Sequence, residues 1–184
     1  VERISLNSTA PVSAARTIGR NLSHQTPNGF FRTNAQFSYY IDLEKDPLYA
    51  RVLDLMSSWD SYLPKCKNYK KVIGHGLNEK ELKKNKIFDS YWIQNFNLNQ
   101  EIPLDNASID FCLMVAAWQY LQYPENLTNE IARILRSYGK IIIAFSNRAF
   151  WHKAPNIWTS STEEERVKYV RRVLISNGFN EPKI

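Results

Sequence analysis

Residues 109–118, IDFCLMVAAW, are apolar throughout apart from Asp110. A near-continuous apolar run of this length is the pattern of a strand covered on both faces, at the centre of a parallel sheet. Shorter runs of the same kind flank it: RVLDL (51–55), KKVIGHG (70–76), YWIQNFNL (91–98) and KIIIAFS (140–146). Helical signals lie between and after them. Ser57-Ser58 offers an N-cap, with Asp60 completing a capping box and Pro64 stopping a short helix. Asn78 caps the helical EKELKKNK. Pro124 opens a helix with Leu127, Ile131, Ile134 and Leu135 on one face and Gly139 as its end. Thr162 caps a last helix, with acids in its first turn and Gly178 as its stop. Strict alternation of strand and helix predicts an α/β fold, a doubly wound parallel sheet with helices on both faces. Ligands of such sheets bind beyond the carboxyl ends of the strands. That places any chemistry at residues 54–60, 74–78, 95–97, 116–120 and 146–148.

The 184 residues, 43% of them hydrophobic, suffice for one domain with a full core and not for two. Two cysteines and three scattered histidines make neither a disulfide framework nor a metal-ligand cluster. No apolar run approaches the roughly 18 residues of a membrane span. The net charge of +6 is local: between Lys65 and Lys86, eight lysines face two acids, Glu79 and Glu81. A lysine-only patch is read first as a solvated face, and otherwise as a contact for RNA, a membrane or an acidic partner. Residues 1–35 are rich in Ser, Asn, Thr and Ala and carry Arg3, Arg16, Arg20 and Arg32 against one acid, Glu2. This describes an organelle-targeting region or its remnant, and equally any basic tail. It is expected as an extended arm ordered against a neighbouring surface, ahead of a domain spanning 36–184.

The order of these segments resembles the class I S-adenosylmethionine (SAM)-dependent methyltransferases. The likeness covers about residues 36–180. Its most specific part is IPLDNASIDFCLMVAAWQYLQYPENLTNEIARILRSYGKIIIAFSNR, similar to the family's entry to its fourth strand, the following helix and turn, and the fifth strand. VLDLMSSWDSYLP with VIGHGLNEKEL further resembles a cyanobacterial and plastid-lineage subgroup whose first turn lacks glycines.

The resemblance implies a SAM site at matching positions. Asp54 matches the acid that helps hold the methionine end of SAM; read without the family, it is a strand-end carboxylate capping nearby amides. Met56, Ser58 and Asp60 fall on three glycine positions, with Ser57 between them. Glycine serves there because it permits φ > 0 and lets backbone approach the ligand. The family's ribose-gripping acid matches Gly76, leaving His75 or Asn78 as substitutes, although His75 reads more simply as a surface or core-edge histidine. Asn95 matches the acid that faces the adenine amino group. Gln119 and Tyr120 follow the fourth strand, where the family places substrate- or SAM-facing groups. Asp110 reads as structural.

Methyl transfer from a sulfonium needs alignment more than acid–base machinery, so the SAM pocket decides activity. Each lost charged hydrogen bond is worth roughly 1.5–3 kcal/mol, enough together to turn micromolar binding into millimolar. The family's closing hairpin is also missing beyond NGF, where only NEPKI remains, and this predicts an open edge at the fifth strand. Three readings follow. One is a SAM-dependent methyltransferase of unknown substrate. Another is a pseudoenzyme, a structural subunit of a plastid or mitochondrial assembly docked through residues 1–35 and the sheet edge. The third is an RNA-associated module using the Lys65–Lys86 face. A cytoplasmic or organellar location is expected, the plastid first among organelles.

Overall fold

The structure is a computed structural model; it describes the backbone of residues 2–5 and 15–19, and residues 50–63, 68–145 and 149–182 in full. Among the described residues the strands are β1 (Glu2–Ser5), β2 (Ala15–Gly19), β3 (Arg51–Leu55), β4 (Lys71–Gly76), β5 (Ser90–Ile93), β6 (Ile109–Val115) and β7 (Leu135–Phe145). The helices are α1 (Glu79–Leu82), α2 (Pro124–Ile134), α3 (Asn156–Thr159) and α4 (Glu163–Ser176). They form one sheet in the order β1-β2-β7-β6-β3-β4-β5. Every neighbouring pair from β2 to β5 is parallel, and only β1 runs antiparallel.

The expected apolar run is β6, and it lies between β3 and β7 with Cys112 and Met114 fully buried. Its two faces enter two different core clusters, as a strand covered on both sides requires: Cys112 and Met114 pack in one, Phe111 and Leu113 in the other. Helix signals with local chemistry also hold. Pro124 opens α2. The Thr162 hydroxyl accepts from the Glu165 amide while the Glu165 carboxylate accepts from the Thr162 amide, a complete capping box. Gly178 takes φ 83° just past α4.

Four expectations change. Residues 56–63 form a turn and bends with no helix, because the Ser57 and Ser58 hydroxyls bond Asp54 and Glu81 instead of capping. The third strand ends at Ile93; Asn95 and Asn97 then shape a turn, the Asn95 side chain accepting from the Asn97 amide at 2.9 Å. Helix α2 stops at Ile134, five residues before Gly139, where Leu135 turns extended and begins β7. The edge of β7 is not open: β2 pairs with it in parallel, Ala15 opposite Ile141 and Gly19 opposite Phe145, and β1 flanks β2. The edge of β7 is thus covered by strands from the segment expected as an extended arm. The rest of that arm, Pro64 to Lys67 and residues 146–148 lie outside the described residues.

The parallel strands bring Leu55, Gly76, Ile93, Val115 and Phe145 to one edge of the sheet. The sequence-predicted site residues all follow from this edge.

Candidate functional site

The turn after β3 is built from short-range polar contacts. Met56 has φ 54°, the left-handed backbone that a glycine would adopt without strain. Its amide donates to His75 Nδ1 at 3.1 Å, and the Ser57 amide donates to the His75 carbonyl at 2.7 Å. The Ser57 hydroxyl donates to Asp54 Oδ2 at 3.0 Å, and the Ser58 hydroxyl donates to Glu81 Oε2 on α1. Asn85 Nδ2 closes the set with a bond to the Ser58 carbonyl at 3.1 Å. The turn is therefore fastened along its length to the end of β4, to α1 and to the segment beyond it.

Gly76 shows how close this contact is. A Cβ built on it would stand 2.5 Å from the Ser57 carbonyl oxygen, a distance real Cβ atoms do not show. No side chain, and in particular no carboxylate, fits at position 76 while the turn keeps this shape. Of the sequence-predicted residues, Asp54, Met56, Ser57, Ser58 and Gly76 are brought together here.

His75 joins the two sides of the edge. It is buried, 1% exposed, contrary to its expected place at the surface or core edge. With Nδ1 accepting from Met56, its Nε2 carries the hydrogen and donates to the Gln94 carbonyl at 2.9 Å. Its ring lies 4.0 Å from the Phe96 ring and 4.8 Å from Trp92, centroid to centroid. Burial pushes its pKa down to about 4, against the hydrogen bond to Gln94. Asp54 is buried too, and burial raises its carboxyl to about 6 although the Ser61 and Ser57 hydroxyls favour the charged form.

The other predicted residues stand apart from the turn. Asn95 is exposed and its side-chain carbonyl is used by its own turn. Gln119 is 2% exposed, in a 3-10 turn (Trp118–Tyr120) after β6, and its Oε1 is buried without a hydrogen-bond partner among the described residues. Asn97 ties the β5 and β6 ends, donating to the Tyr120 carbonyl at 2.9 Å and accepting from the Gln122 amide at 2.8 Å. The Tyr120 hydroxyl accepts from the Phe150 amide at 3.1 Å. Asp110 is structural, as read: it accepts from the Arg51 amide at 2.8 Å and from Arg136 at 3.2 Å.

The sequence reading passed over Arg166. It is 6% exposed, its Nε donates to the Trp158 carbonyl at 2.8 Å, and its guanidinium lies over the Trp158 and Trp151 rings at 5.4 and 5.8 Å. The signal was present: Arg166 precedes the buried Val170 and Leu174 by four and eight residues, so helical spacing alone puts it on the inner face.

Residues 58–143 match the family model described as "Methyltransferase domain". The match covers just under half of the chain, and the fold is that of the class I methyltransferases. Its sheet and flanking helices are shared with solved structures of low sequence identity. One is a protein from Anabaena variabilis described as a methyltransferase of an antibiotic biosynthesis pathway, with TM-score 0.58 and 16% identity, covering 79% of this chain and 61% of that one. Another comes from the Haloferax volcanii complex between the Trm112 methyltransferase activator and a methyltransferase, with TM-score 0.53 and 18% identity, covering 79% of this chain and 66% of that one. The chain thus spans less than two thirds of the length of either. No curated protein matches the sequence. Among the described residues, no group of His, Cys, Asp or Glu is arranged to hold a metal ion, and no helix is long and apolar enough to cross a membrane.

Proposed function

We propose that this methyltransferase-type domain has given up the SAM grip of its superfamily and serves as a non-catalytic module for protein partners. The observation that carries the reading is the Ser57 carbonyl seated against Gly76. In the superfamily pattern, position 76 supplies the ribose-binding acid, and the turn at Met56–Ser58 leaves space for the ligand. Here the turn's own backbone lies where that acid would start. The polar groups of the turn bond to Asp54, His75, Glu81 and Asn85. The Met56 and Ser57 amides and the two serine hydroxyls are thus engaged within the protein, and the residues present do not fit SAM in the position the resemblance implies.

A partner role draws support from the surface. Phe150 and Trp151, 64% and 54% exposed, project beyond β7. The Haloferax structural neighbour comes from a two-protein complex, and the basic composition of residues 1–35 favours an organellar assembly, a plastid one given the subgroup resemblance. A second reading, an active SAM-dependent enzyme, is favoured by Gln119, whose buried Oε1 lacks a partner among the described residues at the same edge of the sheet.

Titration calorimetry of SAM and S-adenosylhomocysteine into the full chain, up to millimolar ligand, separates the two. The closed-turn reading expects no saturable heat and an unshifted melting temperature. Micromolar binding would overturn it and establish the enzyme reading.

A further inference from the structure

Between the turn after β3 and the segment after α1 lies a hollow of about 340 Å³. Trp59, Asp60 and Tyr69 line one side, and Lys84, Lys86 and Ile87 the other. Its floor belongs to the closed turn: Asn85, buried beside it, is held by the Ser58 carbonyl and by the Ile87 amide. The hollow is therefore a preformed feature of the fold that adjoins the closed turn.

Its chemistry is specific. Trp59 is a large aromatic side chain left 50% exposed, and the Lys84 ammonium stands over its ring, 4.8 Å from the centroid. With half of its surface exposed, the indole keeps area on which a base can stack beside the lysine. Tyr69 supplies a second, half-buried ring and Ile87 an apolar wall. Two exposed lysines line the rim against one acid, and Lys70, Lys80 and Lys83 are exposed close by in the sequence. Aromatic faces beside a basic track are what a single-stranded nucleic acid uses: bases stack on the rings and phosphates meet the lysines. An acidic peptide would engage the lysines but leave the rings unused. The volume, at the low end of the roughly 300–1,000 Å³ of ligand sites, suits one nucleotide rather than a larger cofactor.

We infer that the Trp59–Lys84–Lys86 hollow binds one nucleotide of a single-stranded RNA, with its base stacked on Trp59 and its phosphates on Lys84 and Lys86. The rest of the strand follows the neighbouring lysines.

The test is fluorescence anisotropy of the full chain with a labelled short oligouridylate at low and moderate salt. The two phosphate contacts of the hollow alone give a slope of about −1.4 in log K against log salt, or roughly sevenfold weaker binding between 50 and 200 mM, and contacts to the neighbouring lysines steepen it. Trp59→Ala is expected to weaken binding roughly 5- to 100-fold without changing the slope, and Trp59→Phe to restore most of the affinity. Lys86→Ser is expected to flatten the slope. Since Trp59 is half exposed, these variants keep the fold, which circular dichroism checks directly. Binding that is absent at low salt overturns the inference. So does binding indifferent to Trp59→Ala, which would indicate a diffuse lysine surface. Equal competition by polyglutamate or by free UMP also overturns it, pointing to an acidic protein or a small nucleotide as occupant.

Discussion

The Ser57 carbonyl oxygen lies 2.5 Å from where a Cβ of residue 76 would sit, and residue 76 is glycine. The glycine-free turn and the missing ribose acid are thus one structural event: an acid at 76 and this turn exclude each other. Gly76→Asp, which restores the superfamily residue, is expected to destabilise the protein by about 2 kcal/mol through overpacking, a fall in Tm of roughly 4–8 °C. Gly76→Ala should cost nearly as much, because the conflict begins at Cβ. A Gly76→Asp protein that melts at the wild-type temperature and binds SAM would refute this account.

Arg133 holds the entry to β6. It donates to the carbonyls of Leu104 and Ile102 and to Asn106 Oδ1, each at 2.8 Å, and grips Glu130 through Nε and Nη2. The Glu130 carboxylate in turn accepts from the Ile102 amide at 2.9 Å, and its hydrogen bond to Arg133 holds its pKa below the usual range. A lysine ammonium cannot reproduce this planar set of donors. Arg133→Lys is expected to lose about 1–3 kcal/mol of stability, read as a lower urea midpoint with an unchanged slope.

Elements whose signals are local were legible in the sequence. The run at 109–115, the Thr162–Glu165 box and Gly178 each specify their structure from neighbouring residues. The misses share a different cause, competition from partners far along the chain. Ser57 and Asp60 have capping spacing, but Glu81, His75 and Asn85 claim the backbone and hydroxyls of that turn. The periodicity of α2 continues into Leu135, yet Arg136 is drawn to Asp110 and to the Ala107 carbonyl on the approach to β6. The pairing of β2 with β7 joins segments more than a hundred residues apart, which no local pattern announces. In the site, the absence of glycine at 56, 58 and 60 was plain, whereas the burial of His75 depended on the rings of Trp92 and Phe96 closing over it.

Tyr138 lies within β7, in the irregular stretch between its pairings at Leu135 and Lys140, with φ 66° and 78% of its surface exposed. A non-glycine residue in the left-handed region costs roughly 1–2 kcal/mol, and so exposed a side chain recovers little by packing. Glycine would remove that strain at the cost of about 0.5–1 kcal/mol of added chain entropy. Tyr138→Gly is therefore expected to leave stability unchanged or raise Tm by roughly 2–4 °C, as seen in a thermal melt. A clear loss of stability would show that Tyr138 makes a contact the fold depends on.

Asp54 and His75 pull the pH dependence of stability in opposite directions. The Asp54 carboxyl is raised to about 6 in the folded chain from 3.8. Folding thus takes up a proton there, and stability from this group rises as pH falls from about 6 to about 4. The His75 imidazole is lowered to about 4 from 6.5. Unfolding takes up a proton there, so stability from this group falls as pH drops across nearly the same window. At 1.36 kcal/mol per pKa unit each effect is about 3 kcal/mol, and they largely cancel. Wild-type stability in urea is expected to be nearly flat from these two groups between pH 6.5 and 4. Asp54→Asn leaves the histidine alone and should make stability fall steeply with acid, while His75→Gln leaves the aspartate alone and should make it rise. If both variants keep the wild-type pH profile, neither group is desolvated as the structure places it, and the closed turn around them is wrong.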